Sequence, residues 1–380
     1  MDVETPTPIQ AAAIPPLLER RDVIGQAATG SGKTLAFGLP LVQRVDARQP
    51  LPGALVITPT RELAQQVAGV LSQLIARTDL RIATIYGGRS IGPQEEALRK
   101  GVQIIVGTPG RLVDLLSRGS LRLDKMRYLV LDEADEMLDR GFALDVERIL
   151  AATPRERQTA LFSATTPAWV HTVSAKYLRD PVVIELAATE DIKLDIDHVV
   201  YEIWREDKFA VLCRLLEQPT EGSTLVFGRT KHGVRKLGLR LERLGHTVGV
   251  LQGNLSQPQR DRVLRDFRAG KTPVLLATNV AARGLDVLHI GRVINYDVPD
   301  THDLFTHRVG RTGRMGRSGR AITLLGPADL PKWHEIERGL GRKLPRMTLD
   351  GQIITPPATR PAKRRSRSFG WRPARARASR

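Results

Sequence analysis

The chain has 380 residues, a formal net charge of +17 at neutral pH and a single cysteine, Cys213. This length exceeds what one core needs and predicts two domains plus a tail. The positive charge predicts a polyanionic partner. We find no transmembrane run and no signal peptide, so we expect no membrane partner. One cysteine excludes an internal disulfide and a cysteine-cluster zinc site, and it fits a reducing cytoplasm. The segment Ala210–Leu216 is typical of the core face of a helix and predicts that Cys213 is buried.

Short apolar, β-branched runs alternate with helix-like stretches along the first half of the chain. Most runs are followed by Gly, Pro, Ser or Thr, which is typical of a parallel sheet covered by helices on both faces. The predicted strands are Asp22–Gly25, Ala54–Thr58, Arg81–Tyr86, Gln103–Gly107, Tyr128–Asp132, Thr159–Ser163 and Val182–Leu186. We therefore predict an α/β domain over residues 1–187.

The same alternation restarts after a polar stretch at residues 188–197, which we predict to be a linker. The predicted strands of this second half are Val199–Trp204, Thr224–Phe227, Thr247–Leu251, Val274–Ala277, Arg292–Tyr296 and Ala321–Leu325. Helices are predicted at Lys231–Leu244 and Gln257–Arg268. We therefore predict a second α/β domain over residues 198–350.

The last segment, residues 351–380, has a different composition. From Thr359 to Arg380 it holds nine basic residues and no acidic residue, with Pro, Ala and Ser between them. Such a segment cannot bury an apolar core, so we predict that it is disordered.

A phosphate-binding loop is predicted at Ala27–Thr34, between a predicted strand and the apolar run Leu35–Leu39. Glycines let backbone N–H groups close around phosphate, and the following helix adds a favourable dipole. Lys33 is expected to reach the β- and γ-phosphates, and Thr34 to hold Mg²⁺ through its hydroxyl. A chance Gly-Ser-Gly turn is the alternative, although it does not account for the Lys-Thr pair or the flanking elements. The expected ligands in the loop are Ala28, Thr29, Gly30, Ser31, Gly32, Lys33 and Thr34.

An acidic pair, Asp132 and Glu133, ends the predicted strand that begins at Tyr128. Side chains alternate along a strand, but the chain turns at its end, so both can face one cleft. Asp132 is expected to bind Mg²⁺ through water, and Glu133 to orient and deprotonate an attacking water. A solvated acidic turn is the alternative for the pair alone. Together with the phosphate loop, the pair predicts a nucleotide hydrolase.

The segment Thr7-Pro8-Ile9-Gln10 fits two roles. It matches a helix capping box, with Thr7 as N-cap, Pro8 at the first helical position and Gln10 reaching back. A glutamine amide can also pair with the N6 and N7 edge of adenine, which would select ATP. Spacing alone favours the cap.

In sum, these motifs resemble those of the DEAD-box ATP-dependent RNA helicases, from Pro6 to about Leu349. The matching segments, in family order, are Pro6–Gln10, Ala27–Thr34, Pro59–Ala64, Gly87–Gly88, Thr108–Arg111, Asp132–Asp135, Ser163–Thr165, Leu225–Phe227, Gln257–Arg260, Ala277–Asp286 and His307–Arg314. The resemblance implies two tandem RecA-like domains, each a mostly parallel sheet flanked by helices, that close around ATP and RNA.

The resemblance also implies roles for single residues. Thr7 and Gln10 would read adenine as well as cap the helix, and Asp286 would meet the ribose. Arg311 and Arg314 would be arginine fingers that neutralise charge on the transferred phosphoryl group, so that hydrolysis depends on domain closure. Ser163, Thr165 and His307 would couple hydrolysis to domain movement.

The resemblance implies an RNA surface built from both domains. Its residues are Pro59, Thr60, Arg61, Gly88, Thr108, Pro109, Gly110 and Arg111 in the first domain, and Arg229, Gln257, Arg260 and Thr278 in the second. Small residues and arginines suit contact with sugar and phosphate, which carries little sequence preference. Contact with the 2′-hydroxyl would favour RNA over DNA.

The chain departs from the family pattern at three places. The family usually has an aromatic residue upstream of the glutamine motif, whereas this chain begins nine residues before Gln10 and has none there. We expect either a truncated start or weaker nucleotide affinity. Asn279 stands where aspartate is usual and Gln252 where histidine is usual. Neither change is expected to abolish activity.

Several functions remain open at this point. One is an RNA helicase that opens short duplexes; another is an ATP-gated RNA clamp or remodeller that barely unwinds. Intact Lys33, Glu133, Arg311 and Arg314 disfavour an inactive RNA-binding relic, and DNA unwinding is a weaker option. The tail is expected to tether RNA through phosphates, or only to add solubility. A monomer is expected, and partners in ribosome assembly or RNA decay stay open.

Overall fold

The computed structural model describes residues 5–27, 30–186, 196–203, 208–282, 289–313, 318–348 and 353–354. In the first domain the strands are β1 (Val23–Gln26), β2 (Ala54–Ile57), β3 (Ile82–Ile85), β4 (Ile104–Gly107), β5 (Tyr128–Asp132), β6 (Gln158–Ser163) and β7 (Val182–Glu185). The helices are α1 (Pro8–Leu18), α2 (Lys33–Arg44), α3 (Arg61–Leu74), α4 (Gly92–Arg99), α5 (Pro109–Ser117), α6 (Ala134–Asp139), α7 (Ala143–Ala151) and α8 (Ala168–Tyr177).

The seven strands form one parallel sheet in the order β3-β4-β2-β5-β6-β1-β7. Every residue of the central strands β2, β4, β5 and β6 is buried. Continuous burial of this kind arises because helices cover both faces of the sheet. Val56 packs in the layer that contains Phe37 of α2 and Val67 of α3, whereas the neighbouring Leu55 packs in the opposite layer.

The second domain repeats this design. Its strands are β8 (Ile196–Glu202), β9 (Ser223–Gly228), β10 (Val248–Leu251), β11 (Val274–Thr278), β12 (Ile290–Asn295), β13 (Gly319–Leu325), β14 (Arg346–Met347) and β15 (Ile353–Ile354). Its helices are α9 (Lys208–Glu217), α10 (Lys231–Arg243), α11 (Gln257–Arg268), α12 (Asn279–Ala282), α13 (His302–Val309) and α14 (Leu330–Gly339). The sheet order is β10-β11-β9-β12-β13-β8-β14-β15, and only β15 runs antiparallel to its neighbour. The two-domain α/β prediction is confirmed.

Two boundaries differ from the sequence prediction. Strand β8 begins at Ile196, two residues inside the predicted linker, because it pairs with β13 along its whole length. Ile353 and Ile354 pair with β14, so the prediction of disorder for residues 351–380 is wrong at these two positions. Adjacent β-branched residues favour such pairing. The predicted linker residues 188–195 and the tail residues 355–380 lie outside the described ranges.

Strand β14, missed from the sequence, is held by a buried ion-pair network. Arg346 Nη1 lies 3.0 Å from Glu202 Oε1, and its Nη2 lies 2.8 Å from Glu337 Oε2. Cys213 is only half-buried, packing at the margin of the core above β8 and β9, rather than fully buried as predicted. None of the helices within the described ranges is long and apolar enough to cross a membrane.

Candidate functional site

The phosphate loop leads directly into α2, which begins at Lys33. Gly32 has a φ of +93°, and a Cβ added there would lie 2.5 Å from Gln10 Nε2, so the position requires glycine. Gln10 Nε2 donates to the Gly32 carbonyl at 3.1 Å, and Gln10 Oε1 accepts from the Thr7 backbone at 2.9 Å. Gln10 therefore reaches back to Thr7 as predicted for a capping box, whereas the Thr7 hydroxyl forms no capping bond. Gln10 also ties α1 to the phosphate loop, which spacing alone does not show.

Polar groups of the loop are buried with few partners. Lys33 is 6% exposed, and its Nζ donates to the Ala27 carbonyl at 3.1 Å. The Ser31 and Thr7 hydroxyls are buried and have no hydrogen-bond partner. Buried polar groups are normally satisfied, so this set fits a ligand rich in acceptor oxygens. Thr34 is half-buried in the first turn of α2, whereas Ala28 and Thr29 lie outside the described residues.

The acidic pair sits at a sharp turn where β5 ends. Glu133 has a φ of +55° and a ψ of +56°, a left-handed conformation that strains a non-glycine residue. Asp132 is 3% exposed, and its Oδ1 has no hydrogen-bond partner. Burial raises the pKa of Asp132 to about 7, Lys33 opposes this rise, and Glu133 adds to it. Such a carboxylate is stabilised when a further cation approaches it.

These residues fit Mg²⁺ held together with a phosphate ligand. Within the described ranges, no group of three or more His, Cys, Asp or Glu side chains could hold a metal by itself. Mg²⁺ typically uses one or two carboxylates, several waters and substrate phosphates rather than a protein cage. Asp132 Oδ1, which has no hydrogen-bond partner, and the Thr34 hydroxyl match that donor set.

Asp135 connects the acidic motif to the coupling segment, a link that the sequence reasoning missed. Asp135 Oδ2 accepts from the Thr165 backbone at 2.8 Å, from the Thr165 hydroxyl at 2.9 Å and from the Ala164 backbone at 3.2 Å. The Asp135 backbone donates to the Ser163 hydroxyl at 3.1 Å. The sequence did offer one indication of this role, because Asp135 lies three residues after Asp132 within the same matched motif.

A cavity of about 520 Å³ lies between the two domains. Seven residues predicted to contact RNA line it: Pro59, Thr60, Arg61, Thr108, Gly110, Arg111 and Arg260. The structure therefore gathers these positions into one interdomain cleft. Glu62, Phe142, Gly253 and Leu255 also line the cleft, although the sequence reasoning had not singled them out as site residues.

Three side-chain contacts between described residues cross this cleft, and all come from the first two turns of α11. Arg61 Nη1 donates to Gln257 Oε1 at 2.8 Å. Arg260 forms an ion pair with Glu62, whose side chain is 6% exposed. Arg89 Nη2 lies 2.8 Å from Asp261 Oδ2. The predicted RNA contacts Arg61, Gln257 and Arg260 are thus bound to the opposite domain.

Several predicted RNA positions, including Thr60 of the cleft, also have local structural roles. Gly88 has a φ of +79°, which favours glycine, and a Cβ there would displace the guanidinium of Arg61, whose Nη1 would lie 2.1 Å away. The Thr60 hydroxyl caps α3 by accepting from Leu63 N at 3.0 Å, and Pro109 opens α5. Thr278 is buried at the end of β11. The Arg229 backbone donates to Asp297 Oδ2 at 2.8 Å.

The predicted arginine finger Arg311 follows α13 and is 7% exposed. Its Nε donates to the His307 carbonyl at 3.2 Å, which links two residues predicted to act in the ATP cycle. Asp286 and Arg314 lie outside the described residues.

Asn279 and Gln252, which depart from the family pattern, each accept a hydrogen bond within the second domain. Asn279 Oδ1 accepts from Arg308 Nε at 2.6 Å, and Asn295 Oδ1 accepts from Arg308 Nη1 at 3.0 Å. Burial lowers the pKa of Arg308 to about 10. Gln252 Oε1 accepts from Asn254 N at 2.8 Å, so it shapes the loop after β10.

Comparison with protein families identifies both halves of the chain. The family model described as DEAD/DEAH box helicase matches residues 7–173, and the helicase conserved C-terminal domain matches residues 207–316. The chain belongs to the DEAD-box ATP-dependent RNA helicases. This helicase is 44% identical over 353 residues to the DEAD-box ATP-dependent RNA helicase CshA of Geobacillus kaustophilus, covering 92% of this chain and 76% of that protein. It is 46% identical to the RNA helicase CrhR of Synechocystis, and the match covers 90% of this chain and 69% of that protein.

Solved structures support the same assignment. The helicase is similar to S. cerevisiae Dbp5 bound to RNA and ADP BeF3, with a TM-score of 0.84, 34% identity and coverage of 92% and 91%. The DEAD box protein of Methanococcus jannaschii has a TM-score of 0.55 at 41% identity, with coverage of 90% and 93%. Both comparisons span nearly the whole chain and support the tandem RecA-like fold.

Proposed function

We propose that this DEAD-box helicase hydrolyses ATP when RNA enters the interdomain cleft, and that domain closure and reopening locally unwind short RNA duplexes. The observation that carries the proposal is the pairing of a phosphate loop, the buried Asp132 and the half-buried Glu133 with a cleft lined by both domains. The cleft is lined largely by arginine, glycine, threonine and proline, which suit contact with sugar and phosphate and support weak sequence preference.

The first domain would supply the ATP-binding groups. Lys33 would exchange its bond to the Ala27 carbonyl for phosphate oxygens, and Gly30, Ser31 and Gly32 would surround them. Thr34 and, through water, Asp132 would hold Mg²⁺, which supplies charge neutralisation at the phosphates when bound. Glu133 would orient the attacking water and accept its proton. Its left-handed backbone supports this role, because strained residues concentrate at functional sites.

The second domain would complete the reaction. Arg311 and Arg314 would neutralise the charge on the transferred phosphoryl group, and Asp286 would contact the ribose. Gln10 and Thr7 would contact adenine while Gln10 keeps the phosphate loop in place. The sequence of contacts from Asp135 to Ser163 and Thr165 supports transmission of the nucleotide state from the acidic motif towards the cleft.

We further propose that the helicase acts as a monomer in the cytoplasm. The monomer is supported by the presence of both halves of the ATP site in one chain, and the location by the RNA substrate and the single cysteine. The basic segment from Thr359 to Arg380 would tether RNA. Its deletion should flatten the salt dependence of RNA affinity and leave ATP turnover at saturating RNA unchanged; an unchanged salt slope would contradict the tether.

The decisive experiment is ATP turnover by the wild type, Glu133→Gln and the control Glu156→Gln, which removes an exposed carboxylate of the same domain. Each is measured without nucleic acid, with single-stranded RNA and with matched DNA. We expect stimulation by RNA alone, a loss of roughly 10²–10⁴-fold in Glu133→Gln, and no change in Glu156→Gln. Equal stimulation by DNA would contradict the RNA assignment, and full activity of Glu133→Gln would contradict its role as the base.

Strand displacement of a short RNA duplex separates unwinding from clamping. ATP-dependent release of the displaced strand is the expected result. RNA-stimulated turnover without any release would favour the alternative, an ATP-gated clamp or remodeller.

A further inference from the structure

Helix α10 presents a band of basic side chains that the ATP and RNA sites do not use. We call Lys231, His232, Arg235 and Lys236 the α10 ridge. All four are exposed, and no acidic residue occurs between Arg229 and Lys236. The buried side of the same helix is apolar, with Val234, Leu237 and Leu241 packed in the core, so the ridge faces solvent.

The charges of the α10 ridge are not balanced locally. Exposed cations elsewhere often have a carboxylate one helical turn away, as in Arg118–Asp114 and Lys100–Glu96. By contrast, Arg235 and Lys236 form no ion pair within the described part of the chain, and Lys231 bonds only to the neutral amide of Asn254.

The position of these cations on α10 is unfavourable for the helix itself. The first turn of α10 contains no acidic residue, and its Lys231 lies next to the positive end of the helix dipole. A positive charge at this position costs about 0.3–1 kcal/mol at low salt. A local conflict of this kind is expected at a functional surface. A bound polyanion would interact favourably both with these cations and with the positive end of the helix dipole.

The α10 ridge is continuous with the RNA cleft. Lys231 Nζ donates to Asn254 Oδ1 at 3.1 Å, and a Cβ at the cleft residue Gly253 would lie 3.7 Å from Lys231 Cε. Arg235 and Lys236 follow one turn further along α10, about 6–8 Å from its start at 1.5 Å per residue. RNA leaving the cleft on this side would meet the ridge directly.

We propose that the α10 ridge binds the phosphate backbone of a duplex arm that flanks the single strand held in the cleft. This inference rests on the proposed function. A duplex arm fits because its phosphates are dense and regularly spaced, and because the ridge contains ammonium and guanidinium groups but no large aromatic side chain for stacking on an unpaired base. The ridge would anchor the arm while the cleft acts on the adjoining strand.

The test compares two RNAs and two double variants of the full chain. One RNA is a single strand that fills only the cleft, and the other is the same strand joined to a duplex arm. The ridge variant is Arg235→Gln with Lys236→Gln. The control is Arg338→Gln with Arg342→Gln, which removes two exposed charges beside β14, on the other side of the β10–β15 sheet from α10. Circular dichroism establishes that each variant is folded.

For the armed RNA, the ridge variant should lose roughly tenfold in affinity near 0.1 M salt, and its log–log salt slope should fall by about 2. Its affinity for the unarmed strand, and both affinities of the control, should stay within about twofold. Unchanged affinity for the armed RNA, or equal losses of affinity in the ridge variant and the control, would overturn the proposal that the α10 ridge binds the duplex arm. Absence of RNA-stimulated turnover in the wild type would instead contradict the proposed function.

Discussion

The Thr165 hydroxyl donates to Asp135 Oδ2 at 2.9 Å, and the Thr165 backbone donates to the same oxygen at 2.8 Å. Asp135 is 8% exposed, and these donors satisfy its buried carboxylate oxygen. The pair joins the strand end that carries Asp132 and Glu133 to the segment that follows β6. A change at the acidic motif would therefore move Thr165 as well.

Thr165→Ala should uncouple unwinding from hydrolysis. Two backbone donors remain on Asp135, so the free energy of unfolding should fall by only about 0.5–1.5 kcal/mol. Strand displacement should fall much more than RNA-stimulated ATP turnover, since the link between the two is what is removed. Thr165→Ser keeps the hydroxyl and should restore displacement; equal losses in both assays would contradict a coupling role.

The ion pair between Glu62 and Arg260 should hold the domains together. Both side chains are largely buried, at 6% and 12% exposure, whereas Arg89 and Asp261 are 53% and 21% exposed. In a double-mutant cycle with Glu62→Gln and Arg260→Gln, the coupling free energy for domain closure should be about 1–3 kcal/mol. Fluorescence energy transfer between dyes on the two domains measures closure.

The same cycle with Arg89→Gln and Asp261→Asn is the matched comparison. Solvent screening should limit its coupling to about 1 kcal/mol or less. Additive effects for Glu62 and Arg260 would show that their contact does not contribute to closure.

Asn279→Asp should stabilise the second domain. The variant places a carboxylate against the buried Arg308 guanidinium, whose Nε already lies 2.6 Å from Asn279 Oδ1. A charge-assisted hydrogen bond is stronger than a neutral one, so the free energy of unfolding should rise by about 1 kcal/mol. Asn279→Ala, which removes the acceptor, should lower it by about 1–3 kcal/mol. Denaturant unfolding measures both, and destabilisation by aspartate would contradict the expected gain.

The second domain should lose stability in acid through His198. Burial, with a smaller contribution from Arg342, lowers the pKa of His198 from 6.5 to about 4. Between these values the unfolded chain binds a proton that the folded protein does not, so unfolding becomes easier as pH falls from about 6.5 to 4. The contribution is about 2 kcal/mol after allowance for partial solvent access.

His198→Gln should flatten this acid limb. Trp333 fluorescence reports unfolding here, because Trp333 is buried and its ring contacts Phe305, on which His198 stacks. His334→Gln, at an exposed position, should keep the wild-type slope. An unchanged slope in His198→Gln would assign the acid sensitivity to another group.

The sequence by itself determined the strand pattern, the phosphate loop and the acidic pair. Each depends on residues close together in the chain: buried parallel strands such as β5 are continuous apolar runs, and glycines at Gly30 and Gly32 permit a loop that other residues cannot form. The capping bond of Gln10 to Thr7 is equally local. The predicted strands therefore agree with the structure to within a few residues.

Only the tertiary structure decided which distant residues meet. Glu62 and Arg260 are 198 positions apart, and Asp135 and Thr165 are 30 positions apart, so no local periodicity connects them. The short strand β15 likewise depends on β14 being present beside it. The α10 ridge is visible in the sequence as a basic run, but its continuity with the cleft follows from the packing of Lys231 against the loop after β10. Such contacts form because the sheets bring segments that are distant in the chain close together in space. Local sequence patterns do not encode these distances.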